Sequence, residues 1–351
     1  MVGIAVKWQA GVDIDNMQYM MTIDRDSTAV VLYSLEAGGM LIPQFDAPSK
    51  YDRGIFAGGF NALDVYDEIE YITISSIGNA TDFGDLTELT RSAGATSNGT
   101  NQRGVFGGGS TQVIQYNVIS YITISSIGNA TDFGDLTALS DGLGGASNGT
   151  NERGVFSPIG GDGLSDVIEY ITINSIGNST NFGDLTVLRG NLSSTSNGTN
   201  ERGVFCGGAI IDSPFYVDTI DYITINSAGN ATDFGNLLEV KETTGATSNG
   251  TNERGVSGGG VTTGALLNVI EYITISSIGN SADFGDLTVA RQGTSSTSNG
   301  TNDRGVWGGG VWVDSSYSNV IDYVTITSLG NADDFGDLTK SKRSCFATSN
   351  L

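Results

Sequence analysis

The chain has 351 residues, including 51 glycines but only four prolines, and its formal net charge is −23 because 39 acidic residues oppose 16 basic ones. An acidic surface repels phosphate backbones, which argues against a nucleic-acid partner, and no run of ~18 apolar residues is present that could span a membrane. The chain contains no histidine, so the usual general base and metal ligand are missing. The abundance of Gly, Asn, Ser and Thr disfavours helices and indicates an all-β fold.

Residues 1–48 differ from the rest of the chain. All five methionines lie in this segment, and residues 28–33 are predicted to form a strand. Because the segment is too short for much of a core of its own, we expect it to attach the chain to other subunits or, as the alternative, to cap the adjoining domain. The first residues lack the basic start, apolar core and cleavage site of a signal peptide, so synthesis in a cytoplasm is expected.

Residues 49–351 contain six near-identical copies of one unit. Each copy begins at an Arg-Gly pair, and successive pairs are 50, 50, 49, 52 and 50 residues apart. A period near 50 residues with several short strands per copy predicts a β-propeller with one blade per copy. The six arginines are Arg53, Arg103, Arg153, Arg202, Arg254 and Arg304.

Four strands, which we name a to d, are predicted in each copy. In the last full copy they cover about residues 294–298, 304–309, 320–327 and 334–338. Asn299-Gly300 is predicted to form the hairpin turn between strands a and b, because a type I′ turn requires positive φ at both central residues. Gly330-Asn331 is predicted to form the turn between strands c and d.

Paired glycines end strand b in five copies, at Gly58-Gly59, Gly108-Gly109, Gly207-Gly208, Gly259-Gly260 and Gly309-Gly310. An aromatic residue recurs in strand c, at Tyr71, Tyr121, Tyr170, Tyr222, Tyr272 and Tyr323. On these residues the chain resembles the kelch repeat family, which implies a six-bladed propeller with four-stranded blades. The third copy departs from the glycine pattern at Ser157-Pro158-Ile159. Strand d differs from the kelch family as well, because it carries phenylalanine where kelch repeats carry tryptophan. These residues are Phe83, Phe133, Phe182, Phe234, Phe284 and Phe335.

The two ends of the repeat array complement each other. The first copy begins directly at strand b, and residues 345–350 have the sequence of a strand a that no strand b follows. The C-terminal strand is therefore expected to complete the first blade and to close the ring, which removes exposed sheet edges. Cys206 and Cys345 occupy unrelated positions and are expected to be free thiols that fill apolar space.

Variation among the copies is concentrated in the b–c loops and the d–a connections, which should share one face of a propeller. The a–b and c–d turns on the other face hardly change. We interpret the aromatic residues of the variable loops as candidate ligand contacts, because aromatic planes beside Asp and Asn suit sugar rings. The alternative is that they pack the loops onto the blades. They are Phe60, Tyr66, Tyr116, Phe215, Tyr216, Trp312 and Tyr317.

The repeated arginines are predicted to form a structural ring. Each would make an Arg–carboxylate fork with acidic residues that follow the c–d turn, such as Asp82 and Asp85. Anion binding by these arginines is the alternative. Aspartates spaced three apart also allow a Ca²⁺ site, although paired turn carboxylates are commonly caps. No nucleophile–base pair or phosphate loop is present, and the copper oxidases among kelch-type propellers need histidine ligands, so no enzymatic activity is expected.

The unit sequence Tyr-Ile-Thr-Ile-Ser-Ser-Ile-Gly-Asn-Ala-Thr-Asp-Phe-Gly-Asp-Leu-Thr is similar to that of kelch-like proteins in tailed phages of aquatic bacteria, over about residues 51–350. The resemblance implies a virion structural protein of the tail or its fibres, made in the host cytoplasm. In this hypothesis, residues 1–48 bind other virion or filament subunits, the protein is an oligomer, and the variable face contacts host-surface glycans or proteins. The alternatives are a repeating subunit of an extracellular filament, a decoration protein without a ligand, and a protein–protein interaction scaffold.

Overall fold

A computed structural model describes residues 31–34, 41–44, 52–98, 103–149, 152–158, 160, 164–197, 202–213, 215–242, 244–249, 254–300 and 303–349. The chain divides into two units, 1–50 and 51–351. In the first unit, β1 (Val31–Ser34) pairs antiparallel with β2 (Leu41–Gln44). The predicted attachment role of residues 1–48 otherwise falls outside the described residues.

The second unit contains 26 further strands in its described residues. The first three blades contain β3 (Arg53–Ala57), β4 (Glu68–Thr73), β5 (Thr81–Asp85), β6 (Gly94–Asn98), β7 (Arg103–Gly107), β8 (Tyr116–Thr123), β9 (Thr131–Ser140), β10 (Gly144–Ser147), β11 (Arg153–Ser157), β12 (Ser165–Thr172) and β13 (Thr180–Arg189). The others contain β14 (Ser193–Asn197), β15 (Arg202–Cys206), β16 (Thr219–Thr224), β17 (Thr232–Asn236), β18 (Gly245–Ser248), β19 (Arg254–Gly258), β20 (Val261–Thr262), β21 (Ala265–Leu266), β22 (Val269–Thr274), β23 (Ala282–Asp286), β24 (Ser295–Ser298), β25 (Arg304–Gly308), β26 (Val320–Thr325), β27 (Asp333–Asp337) and β28 (Phe346–Ser349).

These strands form six four-stranded antiparallel blades, so the predicted six-bladed propeller is confirmed. Five blades use consecutive strands in the order a-b-c-d, and the short β20–β21 hairpin is inserted between strands b and c of the fifth blade. The first blade has the order β28-β3-β4-β5, with Phe346 opposite Ala57 and Ser349 opposite Gly54. The predicted closure by the C-terminal strand is therefore also confirmed. Strand a of every blade contacts strand a of both neighbouring blades, so these strands form the inner ring.

The apolar core is divided among the six blade interfaces. The cluster between the first two blades, for example, combines Ile69 and Phe83 with Phe106 and Ile124. In each blade the strand d phenylalanine packs edge-on against the strand c tyrosine, with ring centroids 5.9–6.2 Å apart. The phenylalanines thus supply the aromatic packing within each blade. Both cysteines are free and buried, as expected, and burial raises the pKa of Cys206 to about 12.

The six repeated arginines join neighbouring blades. Nη1 of each donates to the carbonyl of the residue directly after strand c of the next blade, at 2.7–3.0 Å, as Arg304 does to Ile74 across the closure. Each guanidinium also stacks 4.3–4.7 Å from the centre of its own blade's tyrosine ring. The described ion pairs do not join these arginines to Asp82, Asp85 or their equivalents. In these hydrogen bonds the acceptor is a main-chain carbonyl of the next blade and not the predicted carboxylate.

The two repeated turns also differ from their predictions. Asn299 lies opposite Arg304, and its side-chain oxygen accepts from the Arg304 amide at 2.9 Å, so Asn299 closes a four-residue loop instead of occupying a two-residue turn. The c–d turn lies earlier than predicted, where the Ser328 amide donates to Thr325. Gly330-Asn331 instead pairs with the preceding blade, and the Asn331 side chain accepts from the Asp286 amide at 3.1 Å. This asparagine contact recurs at all six interfaces.

Four blade interfaces contain a buried ion pair. A cation at the end of strand d, or just after it, meets an acid in strand c of the next blade. Arg189 pairs with Asp221 at 3.1 Å and Arg291 pairs with Asp322 at 3.0 Å, while Lys241 pairs with Glu271 and Lys342 with Glu70. Burial lowers the pKa of both arginines, and their aspartate partners oppose that shift.

Candidate functional site

The b–c loops and d–a connections meet at one face of the propeller, and main-chain bridges hold them together. The first residue of a b–c loop pairs with the preceding d–a connection, as Phe60 does with Arg343 and Val311 with Gln292. Neighbouring connections are joined as well, because the Ser92 amide donates to Ser344 at 2.8 Å and the Ser344 amide donates to Gly293 at 2.8 Å. We name the equivalent residues of the six connections the d–a ring: Arg91, Asp141, Gly190, Glu242, Gln292 and Arg343.

An open cleft with a volume of about 420 Å³ lies on this face, and we call it the aromatic cleft. Its walls are the β20–β21 hairpin of the fifth blade and residues 311–317 of the sixth. Tyr216 from the fourth blade, with Gln292 and Arg343 from the d–a ring, completes the lining. Three blades therefore contribute to one site, which no single copy could form.

The loop that carries Trp312 and Tyr317 is held by its own hydrogen bonds. The Trp312 amide donates to Ser316 at 3.0 Å, and the Asp314 carboxylate accepts from the Ser316 amide at 3.0 Å and from the Ser316 hydroxyl at 2.5 Å. These bonds to Ser316 lower the pKa of Asp314. The indole Nε1 of Trp312 is shielded from solvent and has no acceptor among the described protein groups. The bonds within this loop hold its aromatic wall in place before any ligand binds, which reduces the ordering cost of binding.

Phe60 lies behind the aromatic cleft and is buried. Its ring packs edge-on against Tyr317, with centroids 6.0 Å apart. The Arg91 guanidinium lies 4.5 Å and the Arg343 guanidinium 4.8 Å from the centre of the same ring. Burial lowers the pKa of Arg343; Tyr317 and Glu242 oppose that shift, while the positive charge of Arg91 adds to it. Phe60 therefore brings two cations close together.

A second open cavity, of about 480 Å³, lies beside the b–c loop of the second blade and includes Arg91. Asp141 of the d–a ring also lines it and accepts from Ser110 Oγ at 2.8 Å and from Gln115 Nε2 at 3.1 Å. Arg91 lines this second cavity and Arg343 lines the aromatic cleft. Both arginines are half-buried.

The seven aromatic residues singled out in the sequence have different environments. Tyr216, Trp312 and Tyr317 converge on the aromatic cleft, and Phe60 supports it from below. Phe215 is 54% exposed and is not part of the lining.

The remaining two lie elsewhere on the face. Tyr66 contacts Asn61 and lies under Lys340, whose ammonium is 4.7 Å from the ring centre. Tyr116 borders a small separate pocket together with Glu88. Burial raises the pKa of Tyr66, Tyr116 and Tyr216, and Glu242 adds to the shift at Tyr216.

Sequence reasoning missed the polar members of the site. Gln292, Arg343 and Arg91 each come directly after the position that holds the buried cation in four copies. The position of the buried cation stabilises the blade interface, whereas the d–a ring position that follows it carries a different residue type in almost every copy. The signal was therefore present, but it becomes visible only when the copies are aligned on the buried residue.

Among the described residues, no group of three or more Asp, Glu or Cys side chains is arranged to hold a metal ion, and no helix is long and apolar enough to cross a membrane. A scan of the chain against protein-family models finds no match. A search of curated proteins finds no similar sequence.

Proposed function

We propose that this chain is a non-enzymatic binding protein of a virus particle, a component of a phage tail or its fibres, and that its variable face contacts host-surface glycans. A rigid propeller that presents loops of differing sequence is compatible with a binding or scaffold role. The assignment to a virion rests on the similarity of the unit sequence to kelch-like proteins of tailed phages. The absence of histidine from the chain supports a function other than catalysis.

The aromatic cleft is the observation that carries this proposal. Six copies of one unit are nearly identical in their frames, yet loops of three blades place Tyr216, Trp312 and Tyr317 around one open cavity. Aromatic faces pack against the C–H faces of sugar rings, and the phenol and amide groups can bond to hydroxyls. The cavity volume of about 420 Å³ is in the range of small-ligand sites.

Binding of the full chain to a glycan array and to host-like cells tests the proposal. The Trp312→Ala/Tyr317→Ala variant should lose binding, whereas the matched control Phe215→Ala, an exposed aromatic residue outside the cleft, should retain it. Loss in both variants would indicate nonspecific aromatic adhesion. No binding by the natural protein, together with polymers visible by electron microscopy, would favour the alternative of a structural filament subunit.

A second candidate, contact with a protein partner, is favoured by exposed apolar residues at the loop tips. Leu63 is 85% exposed, Val113 91% and Val313 87%, on three different blades of the same face. Apolar side chains at such exposure are suited to burial against a protein. Val113 and Val313 also line the two cavities of this face, whereas Leu63 lines neither, so a Leu63→Ser variant should then lose adhesion to cells while keeping its binding to arrayed glycans.

A further inference from the structure

We infer that the ligand of the variable face is an anionic glycan, whose acidic groups bind to Arg91 and Arg343 while its sugar rings pack in the aromatic cleft. This inference rests on the proposed function and specifies the class of sugar. It depends on how the basic residues of the propeller are used and on the position of Phe60.

Almost every basic residue of the propeller has a structural partner. Residues 52–351 contain thirteen lysines and arginines, all in the part of the chain that the structure describes. Six are the repeated arginines that join the blades, four belong to the buried ion pairs, and Lys340 pairs with Glu68. Two remain, and they are Arg91 and Arg343.

These two arginines are neighbours in space although 252 positions separate them in the sequence. Both pack on the ring of Phe60, and neither has a carboxylate within ion-pair distance among the described residues. The nearby acids of the d–a ring are hydrogen-bonded to other groups: Asn191 donates to Glu242 at 3.0 Å, and Ser110 and Gln115 donate to Asp141. Glu242 still interacts electrostatically with Arg343, although the two do not form an ion pair. Two guanidinium groups with unused donors therefore share one ring on a chain of net charge −23.

Placing like charges together costs free energy, and an anion between or beside them would recover it. Guanidinium forks match carboxylate and sulfate groups geometrically, and a partly desolvated site strengthens the attraction. Stacking on buried Phe60 restricts both side chains before any ligand arrives, which reduces the ordering cost of binding. The two cavities, one lined by Arg91 and one by Arg343, provide space for sugar units beside each guanidinium.

The chemistry of the acidic group is a carboxylate or a sulfate, and matched pairs of probes distinguish the two. The first set contains tetramers of galacturonate, mannuronate and glucuronate, each beside its neutral methyl ester. The second set contains sulfated and unsulfated galactose tetramers. Affinities of the full chain for each probe are measured by calorimetry at 50 mM and 300 mM NaCl.

We expect the natural protein to bind at least one acidic probe at least tenfold more tightly than its neutral partner, with affinity that falls at the higher salt concentration. Arg343→Gln and Arg91→Gln should each reduce that ratio by about threefold to tenfold, because each removes a charged contact that only the acidic probe can make. Arg343→Lys, which keeps the charge but not the planar fork, should be intermediate. Trp312→Ala should weaken the acidic and neutral probes alike, because it removes a sugar contact. Thermal unfolding of each variant establishes that it is folded.

Three results would overturn the inference. Equal affinity for an acidic probe and its neutral ester would show that the glycan is recognised without its charge, and the proposed function would stand alone. A preference for acidic probes that survives in the Arg91→Gln/Arg343→Gln double variant would place the anion contact elsewhere. Absence of binding to every saccharide would remove both the inference and the proposed function.

Discussion

Four of the six blade interfaces contain a buried ion pair, and the two on either side of the second blade do not. Between the first and second blades the cation position holds Thr90 and the acid position holds Ser120, so both partners are replaced together. Between the second and third blades Ser140 replaces the cation, but Glu169 remains, fully buried, and accepts from the Thr137 and Ser179 hydroxyls. A blade interface thus tolerates either a complete pair, a neutral pair, or an acid that hydroxyl groups satisfy.

The largest predicted effect comes from breaking one pair. Arg291→Ala leaves the Asp322 carboxylate buried without its cation, and we expect a loss of about 3–5 kcal/mol in the free energy of unfolding. Urea unfolding followed by circular dichroism measures this loss.

The first interface supplies the matched control for that variant. In Arg291→Thr/Asp322→Ser, which copies the Thr90 and Ser120 arrangement, no charge remains buried, and most of the lost stability should return. A double variant as unstable as Arg291→Ala would show that packing by the long arginine, and not the orphaned charge, accounts for the loss.

The hydrogen bond of the repeated arginines is common to all six interfaces, so it allows interfaces with and without an ion pair to be compared. Arg304→Ala removes the hydrogen bond to the Ile74 carbonyl and the stacking on Tyr323. We expect a loss of about 1–2 kcal/mol, and Arg103→Ala at an interface without an ion pair should cost a similar amount. A much larger loss at Arg103 would mean that the uncharged interfaces depend more strongly on this contact.

One substitution should convert an uncharged interface into a charged one. Ser140→Lys places an ammonium at the position that Lys241 and Lys342 occupy, within reach of an acid equivalent to their partners. We expect a gain of about 1 kcal/mol, since the charged bond is offset by loss of the Ser140 bond to the Gly160 amide. A lower melting temperature would show that the third blade cannot accommodate the longer side chain.

The smallest effect concerns Glu242, one residue beyond the buried Lys241. Burial raises the pKa of Glu242, although Asn191 and Arg343 oppose the shift. Because the folded state then holds the proton more tightly than the unfolded state, this residue lowers stability as pH rises through its raised pKa. The Glu242→Gln variant lacks that penalty. The melting temperature of the variant minus that of the natural protein should therefore increase as the pH is raised from 4 to 7. A difference between the two melting temperatures that does not change with pH would contradict the raised pKa of Glu242.

The repeat period and the strand patterns were sufficient to predict the blades, their number and the closing strand, because these depend on patterns that recur in each copy. The partners of the repeated arginines could not be predicted in the same way. Arg304 bonds to Ile74, which lies 230 positions away, and the acceptor is a main-chain carbonyl that carries no sequence signature. The position of Asn331 was misjudged for the same reason, since it bonds to the preceding blade.

The candidate site was only partly predictable. Trp312 and Tyr317 could be chosen because they are aromatic residues in a variable loop, and Tyr216 by the same criterion. Nothing in the sequence separated these three from Phe215 or Tyr116, since only the ring geometry decides which loops face one another. Arg91 and Arg343 were overlooked because the aromatic residues drew attention to the b–c loops and away from the d–a connections.

The pairing of β28 with β3 has a consequence for the timing of folding. Strand β3 ends at Ala57, but its partner is complete only when Ser349 has been synthesised. At about 5–20 residues per second the first blade waits roughly 15–60 s for its last strand. During that interval β3 has an open edge, which is a template for pairing with another chain. The interval between the synthesis of β3 and that of β28 is therefore a period of risk, in which a slower synthesis rate favours misassembly between nascent chains.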